Sequence, residues 1–221
     1  CALPSAELTR LRRHLHPVVL ETRERLEQAN EPITDIYFVE SGIVSVVAIG
    51  SGGHGIEIGL IGTEGMTGTA VVLGNHRSTS AAFVQVAGRA QRIKGPALRR
   101  ALNDSAPLRQ LCLKYVQAFV AQTAHTAFAN GRAKLDQRLA RWILMAHDRT
   151  EGDILPLTHE FLSVMLGVRR AGVTVTLNAL KRDGLIRTGR GHVELLDRAG
   201  LERRAEGYYG VPEAEYRRLI G

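Results

Sequence analysis

The sequence predicts an α+β protein with an N-terminal antiparallel β-roll of jelly-roll type, a long dimerisation helix and a C-terminal winged helix-turn-helix. Three observations carry this. Between residues 18 and 94 the chain breaks into short β-rich runs punctuated by glycine. From Pro107 apolar residues recur at helical spacing over the longest such stretch. From Thr158 to Leu196 two short helical patterns meet at a glycine and are followed by a hairpin pattern. The expected units are 1–106, 107–149 and 150–221.

In chain order, Leu3, Leu8, Leu11 and Leu15 among charges predict a short amphipathic helix leading to Pro17. His14 and His16 lie there, without further ligands at metal-binding spacing. The runs IYFV, GIVSVVAI, GIEIGLI, TAVVL, AAFVQV and RAQRI predict the strands of an antiparallel roll. GSGGHG and GTEG resemble phosphate loops only superficially. No GK[ST] follows either one, so they read as turns. Pro96 to Leu102 predicts a short helix. After Pro107, Leu108, Leu111, Tyr115, Phe119 and Gln122, flanked by Cys112, Val116, Val120 and Thr123, make a stripe too wide for one packing partner. Such a helix is expected to touch its own roll and a twin from a second subunit. Leu135, Leu139, Trp142, Ile143 and Met145 predict a second amphipathic helix to about Arg149.

Thr158 is a candidate N-cap, Phe161, Leu162, Met165 and Leu166 form a stripe, and Gly167 ends that helix. The second helix is expected from near Arg169 to Gly184, with Val173, Leu177 and Leu180 inward at i, i+4 and i+7. Propensity alone allows GVTVTL to be a strand, because Gly172 and the β-branched run that follows are poor helix formers. The preceding helix, the NALKRDG ending and the hairpin that follows favour helix. Arg169, Arg170, Thr174, Asn178 and Lys181 are then left outward. Arginines at the start of such a helix present a bidentate fork suited to guanine edges and enough charge to hold phosphate. Leu185 to Thr188 and His192 to Leu195 can pair across Gly189-Arg190-Gly191, which brings Arg190 to the tip of a wing. Asp197 is a candidate cap for a further helix, and the tail from Gly207 has no assignment.

The 221 residues are 44% hydrophobic and 23% charged, enough for ordinary folded cores. The formal charge of +7 suits a polyanionic partner, and its distribution is informative. From Thr158 to Arg190, Arg169, Arg170, Lys181, Arg182, Arg187 and Arg190 stand against only two acids, Glu160 and Asp183, whereas Gly42 to Asn75 has no Lys or Arg. The partner expected is double-stranded DNA. Cys1 and Cys112 are too few for a disulfide framework or a metal-ligand set, so a reducing cytoplasm is the expected compartment. No apolar run approaches the roughly 20 residues of a membrane span, and no signal peptide is visible. No nucleophile-base set, HExxH or supported carboxylate pair points to an enzyme.

A roll, a long helix and a winged helix-turn-helix in this order resemble the CRP/FNR family of bacterial transcription regulators. DIYFVESGIVSVV looks like its early roll strands and EGMTG like the turn entering its nucleotide cradle. QRLARWIL is similar to the helix before its DNA-binding domain, and LGVRRAGVTVTLNALKRDGLI to its recognition unit. The resemblance implies a homodimer on a pseudo-palindromic operator, with RNA polymerase as a partner if it activates. Cyclic-AMP-binding members carry a glycine followed by Glu for the ribose, then Arg-Ser for the phosphate. Here Gly68 is kept, but the Glu position is Thr69 and the Arg-Ser positions are Ser80 and Ala81. Arg77-Ser78 substitutes only if the loop slips. Thr123 matches a long-helix contact to the base, beside Ala124. A missing carboxylate and guanidinium argue against cyclic AMP, because a buried phosphate needs its counter-charge. Two cysteines cannot hold the four-cysteine iron-sulfur cluster of the oxygen-sensing branch, and His54 and His76 read as loop surface rather than haem ligands. Arg170 matches the leading base-contacting Arg, but Ala171 replaces Glu and Val175 replaces the later Arg. A half-site unlike the family's commonest is implied, with Val175 or Thr174 against a thymine methyl.

Overall fold

The computed structural model describes residues 3–52 and 55–221, so Cys1 and His54 lie outside the described residues. Helix α1 (Ser5–Arg12) precedes a roll of β1 (His16–Leu20), β2 (Arg25–Glu27), β3 (Asp35–Ile49), β4 (Gly55–Ile61) and β5 (Ser80–Lys94). The sheet runs β1-β5-β3-β4, with β2 also on β5, and every pairing is antiparallel. IYFV and GIVSVVAI are one strand, and so are AAFVQV and RAQRI. The expected breaks are bulges instead. Register slips between Val39 and Val44 bend β3 against β5, which curls the sheet without ending it. Only glycine fits where the two backbones approach: a Cβ on Gly88 would lie 1.9 Å from the Ser41 carbonyl oxygen, and one on Gly42 2.5 Å from that of Val86.

The run TAVVL is not a strand. It forms α2 (Thr69–Val72), a single turn entered from Gly68 in the left-handed region at φ 73°, with Val71 buried. A β-branched run alternates like a strand whatever its backbone does, and here the left-handed glycine decides.

Helix α3 (Gly95–Asp104) leads into α4 (Ala106–Arg132), 27 residues long. Ser105 caps α4 by accepting from the Leu108 amide, and Pro107 sits in the first turn, where no amide is missed. One face of α4 buries Leu108, Cys112, Tyr115, Ala118 and Gln122. Burial pushes the Cys112 thiol up to about 11, which leaves it an unreactive core group. Strand β4 is an edge, and α4 covers it with a side chain. The Gln122 carbonyl oxygen accepts from the Leu60 amide at 2.6 Å, and its NH2 donates to the Leu60 carbonyl at 3.1 Å. The other face leaves Leu113, Val120 and Phe128 exposed.

Helix α5 (Leu135–His147) is buried without a break from Leu139 to Ala146. It shares one core with Ile43, Val47 and Leu60 of the roll and with Leu162, Val173 and Leu177 further on. The C-terminal part contains β6 (Ile154–Leu155), α6 (His159–Met165), α7 (Arg170–Arg182), β7 (Ile186–Gly189), β8 (His192–Leu195), α8 (Arg198–Arg204) and α9 (Val211–Ile220). The tail without an assignment is thus a helix. It packs along α4, and the Tyr216 hydroxyl donates to the Glu64 carbonyl at 2.9 Å. Glu64 also holds Arg149 at 2.6 Å. No described helix is long and apolar enough to cross a membrane.

The bidentate seat of Gln122 predicts that Gln122→Ala, which strands two buried backbone groups of Leu60, costs about 2 to 4 kcal/mol in urea unfolding. Arg99→Ala, on the exposed face of α3, stays within about 0.5 kcal/mol.

Candidate nucleic-acid interface

The reader is built from its caps inward. Thr158 accepts from the Phe161 amide at 3.1 Å and starts α6, and Gly167 at φ 61° turns the chain toward α7. GVTVTL is helical. Val173, Leu177 and Leu180 are fully buried in the core shared with α5, and this packing outweighs the poor intrinsic propensity of the run. Thr176 is buried as well and donates to the Gly172 carbonyl, so it belongs to the inner face.

The outer face of α7 carries Arg169 as its N-cap, then Arg170, Val175, Asn178 and Lys181, all exposed; Val175 is 69% exposed. Thr174 differs from its neighbours because its hydroxyl is already engaged. It lies 3.1 Å from the Arg170 carbonyl oxygen and 2.9 Å from the His159 ring Nδ1, and its one proton goes to one of the two. Its methyl group and the ring edge of His159 are what remain available. Arg170 and Glu160 lie 3.9 Å apart with both side chains in solvent, a pairing worth little that leaves the guanidinium free to change partners.

Strand β7 pairs with β8 from Ile186 opposite Leu195 to Gly189 opposite His192, and Gly191 at φ 77° makes the tight turn. Arg190 stands exposed at its tip. Arg187 is committed to Glu194 at 2.6 Å across the hairpin. β6 adds a third strand to the wing through Ile154 opposite Glu194. α8 is capped by Asp197, which accepts from the Gly200 amide, and Arg198 ties it to Asp148 at the end of α5 and to the Tyr209 hydroxyl. These bonds brace the reader from behind.

The five residues expected at a ligand pocket are less gathered. Gly68 precedes α2, Thr69 begins it, Arg77 is an exposed loop residue, Ser80 opens β5, and the Thr123 hydroxyl donates to the Phe119 carbonyl on α4. None of them lines the cavities of about 330 Å3 beside α4 and α9 or about 370 Å3 between α1 and α3. The Gly68 amide donates to the Glu27 carboxylate at 2.5 Å. Burial raises the Glu27 pKa, while its bonds to Gly68 and Thr67 pull it down. His76 sits in an exposed turn.

Sequence reasoning missed Glu27 and His159. Glu27 lies in a run of charged residues and looks like any solvated acid. His159 meets Thr174 only through the crossing of α6 and α7, for which spacing in the chain carries no signal.

Comparison with known proteins places these features in context. A cyclic nucleotide-binding domain model matches residues 17–105, and a Crp-like helix-turn-helix domain model matches residues 137–204. The transcriptional regulator SdrP of Thermus thermophilus is 26% identical over 176 residues, covering 77% of this chain and 83% of that protein. A solved CRP-family transcriptional regulator, also from Thermus thermophilus, superposes with TM-score 0.70 at 23% identity, over 86% of this chain and 97% of the other. The c-di-GMP responsive global regulator CLP of Xanthomonas campestris superposes with TM-score 0.68 at 19% identity, over 87% and 99%. At these identities the structures speak for the fold. With a nucleotide-binding roll and a Crp-like reader matched in that order, the chain belongs to the CRP/FNR family of transcription regulators.

Proposed function

We propose that this regulator acts as a homodimer on a pseudo-palindromic operator, without a response to cyclic AMP. The observation that carries the reading is the open outer face of α7. Arg169, Arg170, Val175, Asn178 and Lys181 are all in solvent, while the same helix buries Val173, Leu177 and Leu180 completely. In the major groove Arg170 would donate to a guanine edge, Asn178 and Lys181 would reach bases or phosphate, and Val175 and the Thr174 methyl would meet a thymine methyl. Arg190 would hold the backbone beside the groove.

The dimer is supported by α4. Leu113, Val120 and Phe128 are 42%, 54% and 53% exposed along one side of a helix whose other side is buried. Ala124 and Ala127 lie on the same side and let a second helix approach closely. On this reading 1–106 is the sensor unit, 107–149 joins the subunits and 150–221 reads DNA in the cytoplasm. RNA polymerase is a further partner if the bound protein activates.

The alternative is a cyclic-nucleotide or other small-molecule sensor, favoured by the match of residues 17–105 to a cyclic nucleotide-binding domain. Against a cyclic nucleotide stand Thr69 in place of the ribose-binding Glu and Ser80 and Ala81 in place of the phosphate-binding Arg-Ser, and the Gly68 amide at the ribose end is already taken by the Glu27 carboxylate.

Calorimetry with cyclic AMP and cyclic GMP tests this part directly. No heat of binding is expected at micromolar nucleotide, and micromolar affinity would show that Glu27 yields the cradle. For the reader, Arg170→Ala is expected to cost about 1 to 3 kcal/mol on the preferred duplex and to relax one base position across a duplex panel. Equal loss on every duplex would make Arg170 a phosphate contact instead.

A further inference from the structure

Glu57 of β4 is a buried acid that neither the reader nor the roll's cradle uses. It is 4% exposed and lies where β4 meets α5. The Trp142 indole N–H donates to Glu57 Oε1 at 2.7 Å, from α5 to the roll. Glu57 Oε2 lies 2.7 Å from the Ser45 hydroxyl of β3, which in turn lies 2.5 Å from the Gln85 carbonyl oxygen of β5. One hydroxyl proton cannot serve two acceptors. Two arrangements satisfy the chain of contacts. In the first, Glu57 is a carboxylic acid that donates to Ser45, and Ser45 donates to Gln85. In the second, Glu57 is a carboxylate that accepts from Ser45, and the Gln85 amide turns over so that its NH2, which has no partner as placed, donates to Ser45. The two differ by one proton, released to solvent, and one amide rotation.

The charged groups around Glu57 are committed elsewhere. Arg141 of α5 donates to the Thr126 hydroxyl and the Tyr208 carbonyl, Arg138 of α5 to Asn130 and the Leu166 carbonyl, and Arg149 after α5 to Glu64. A small cavity joins Glu57 to Thr126 of α4, Arg141 and Trp142 of α5, and Met165 and Leu166 at the end of α6. The carboxyl group therefore sits between the roll and the helix-turn-helix module; Arg138 and Arg141 line the same cavity, but among the described residues no guanidinium is hydrogen-bonded to it.

We propose that Glu57 is a proton-linked joint: its acid form holds α5 on the roll as seen here, and its carboxylate form loosens that seat. Burial pushes the group up to about 7 against the opposing pull of Ser45, Trp142, Arg141 and Arg149. The sign follows from that direction. A proton held more tightly in the seated state than at the ordinary 4.5 favours the seat; the contribution is complete below about 4.5 and is lost as pH rises through about 7. A regulator with this joint would sense cytoplasmic pH through the contact between its two halves.

Trp142 is the single tryptophan and reports on its own bond. Fluorescence of the full-length protein, titrated from about pH 5 to about pH 9, is expected to show a one-proton transition near neutrality. Glu57→Gln, which keeps the hydrogen bonds of the acid form, is expected to hold the acid-limit spectrum throughout. It should also melt several degrees above wild type on the alkaline side and level with it on the acid side. Ser45→Ala removes one bond from each form, the stronger, charge-assisted one from the carboxylate, and is expected to move the midpoint to higher pH, a readout that survives if the Gln variant does not fold. A flat wild-type titration, the same transition in Glu57→Gln, or an unmoved midpoint in Ser45→Ala would overturn the proposal. None of these readouts involves DNA, so their failure is separate from that of the operator reading.

Discussion

Helix α5 has no solvent side between Leu139 and Ala146, and the arrangement of the whole molecule depends on that fact. A helix apolar on one stripe can sit on a sheet and leave the rest to water. This one is enclosed by Ile43, Val47 and Leu60 of the roll on one side and by Leu162, Val173 and Leu177 of the reader on the other. Its one buried cation, Arg141, is satisfied by Thr126 and the Tyr208 carbonyl, so charge does not pull the helix outward. The roll and the helix-turn-helix therefore meet through a shared core rather than a flexible link. Even the helix-turn-helix glycine takes part: a Cβ on Gly167 would lie 3.1 Å from Ile56 of β4.

Two further contacts keep that core closed. Gln122 pairs with the edge of β4 as a strand would, which blunts an exposed edge and fixes α4 in register with the roll. Helix α9 returns along α4, and Tyr216 and Ile220 pack against the roll's second hydrophobic cluster. With roll and tail on two of its sides, α4 keeps one apolar stripe exposed at Leu113, Val120 and Phe128. The wide stripe read from the sequence thus splits into two internal packing surfaces and one open to solvent.

Much of the reader was legible before any coordinates. Thr158 as a cap, the Leu162 and Met165 stripe, Gly167 as the turn, Gly184 past the second helix and Gly191 in the wing are local chemistry, and local chemistry is written in adjacent residues. GVTVTL was legible only from its surroundings, because its propensity points to a strand and its buried i, i+4, i+7 row decides for helix. TAVVL went the other way, since one left-handed glycine overrules a β-branched run. The tail was illegible because its partner, α4, lies about a hundred residues earlier in the chain. Glu27 and Glu57 were hidden because both owe their burial to strands and helices distant in sequence: Glu27 lies among charged residues, and Glu57 alternates with Ile56 and Ile58 as an outward-facing strand acid would.

The reading face joins these layers to function. Internal bonds hold Thr174 and His159 in fixed positions, while Arg170, Val175 and Asn178 stay free, so specificity would come from a face carrying fewer charges than the family's usual one. Two such faces, presented together by paired α4 helices, would engage two half-sites at once. Selection of the purified full-length protein on a random DNA library checks this pairing. An enriched inverted repeat with half-sites about one helical turn apart is the predicted result. Enrichment of a single unrepeated site, or of no sequence at all, would contradict it.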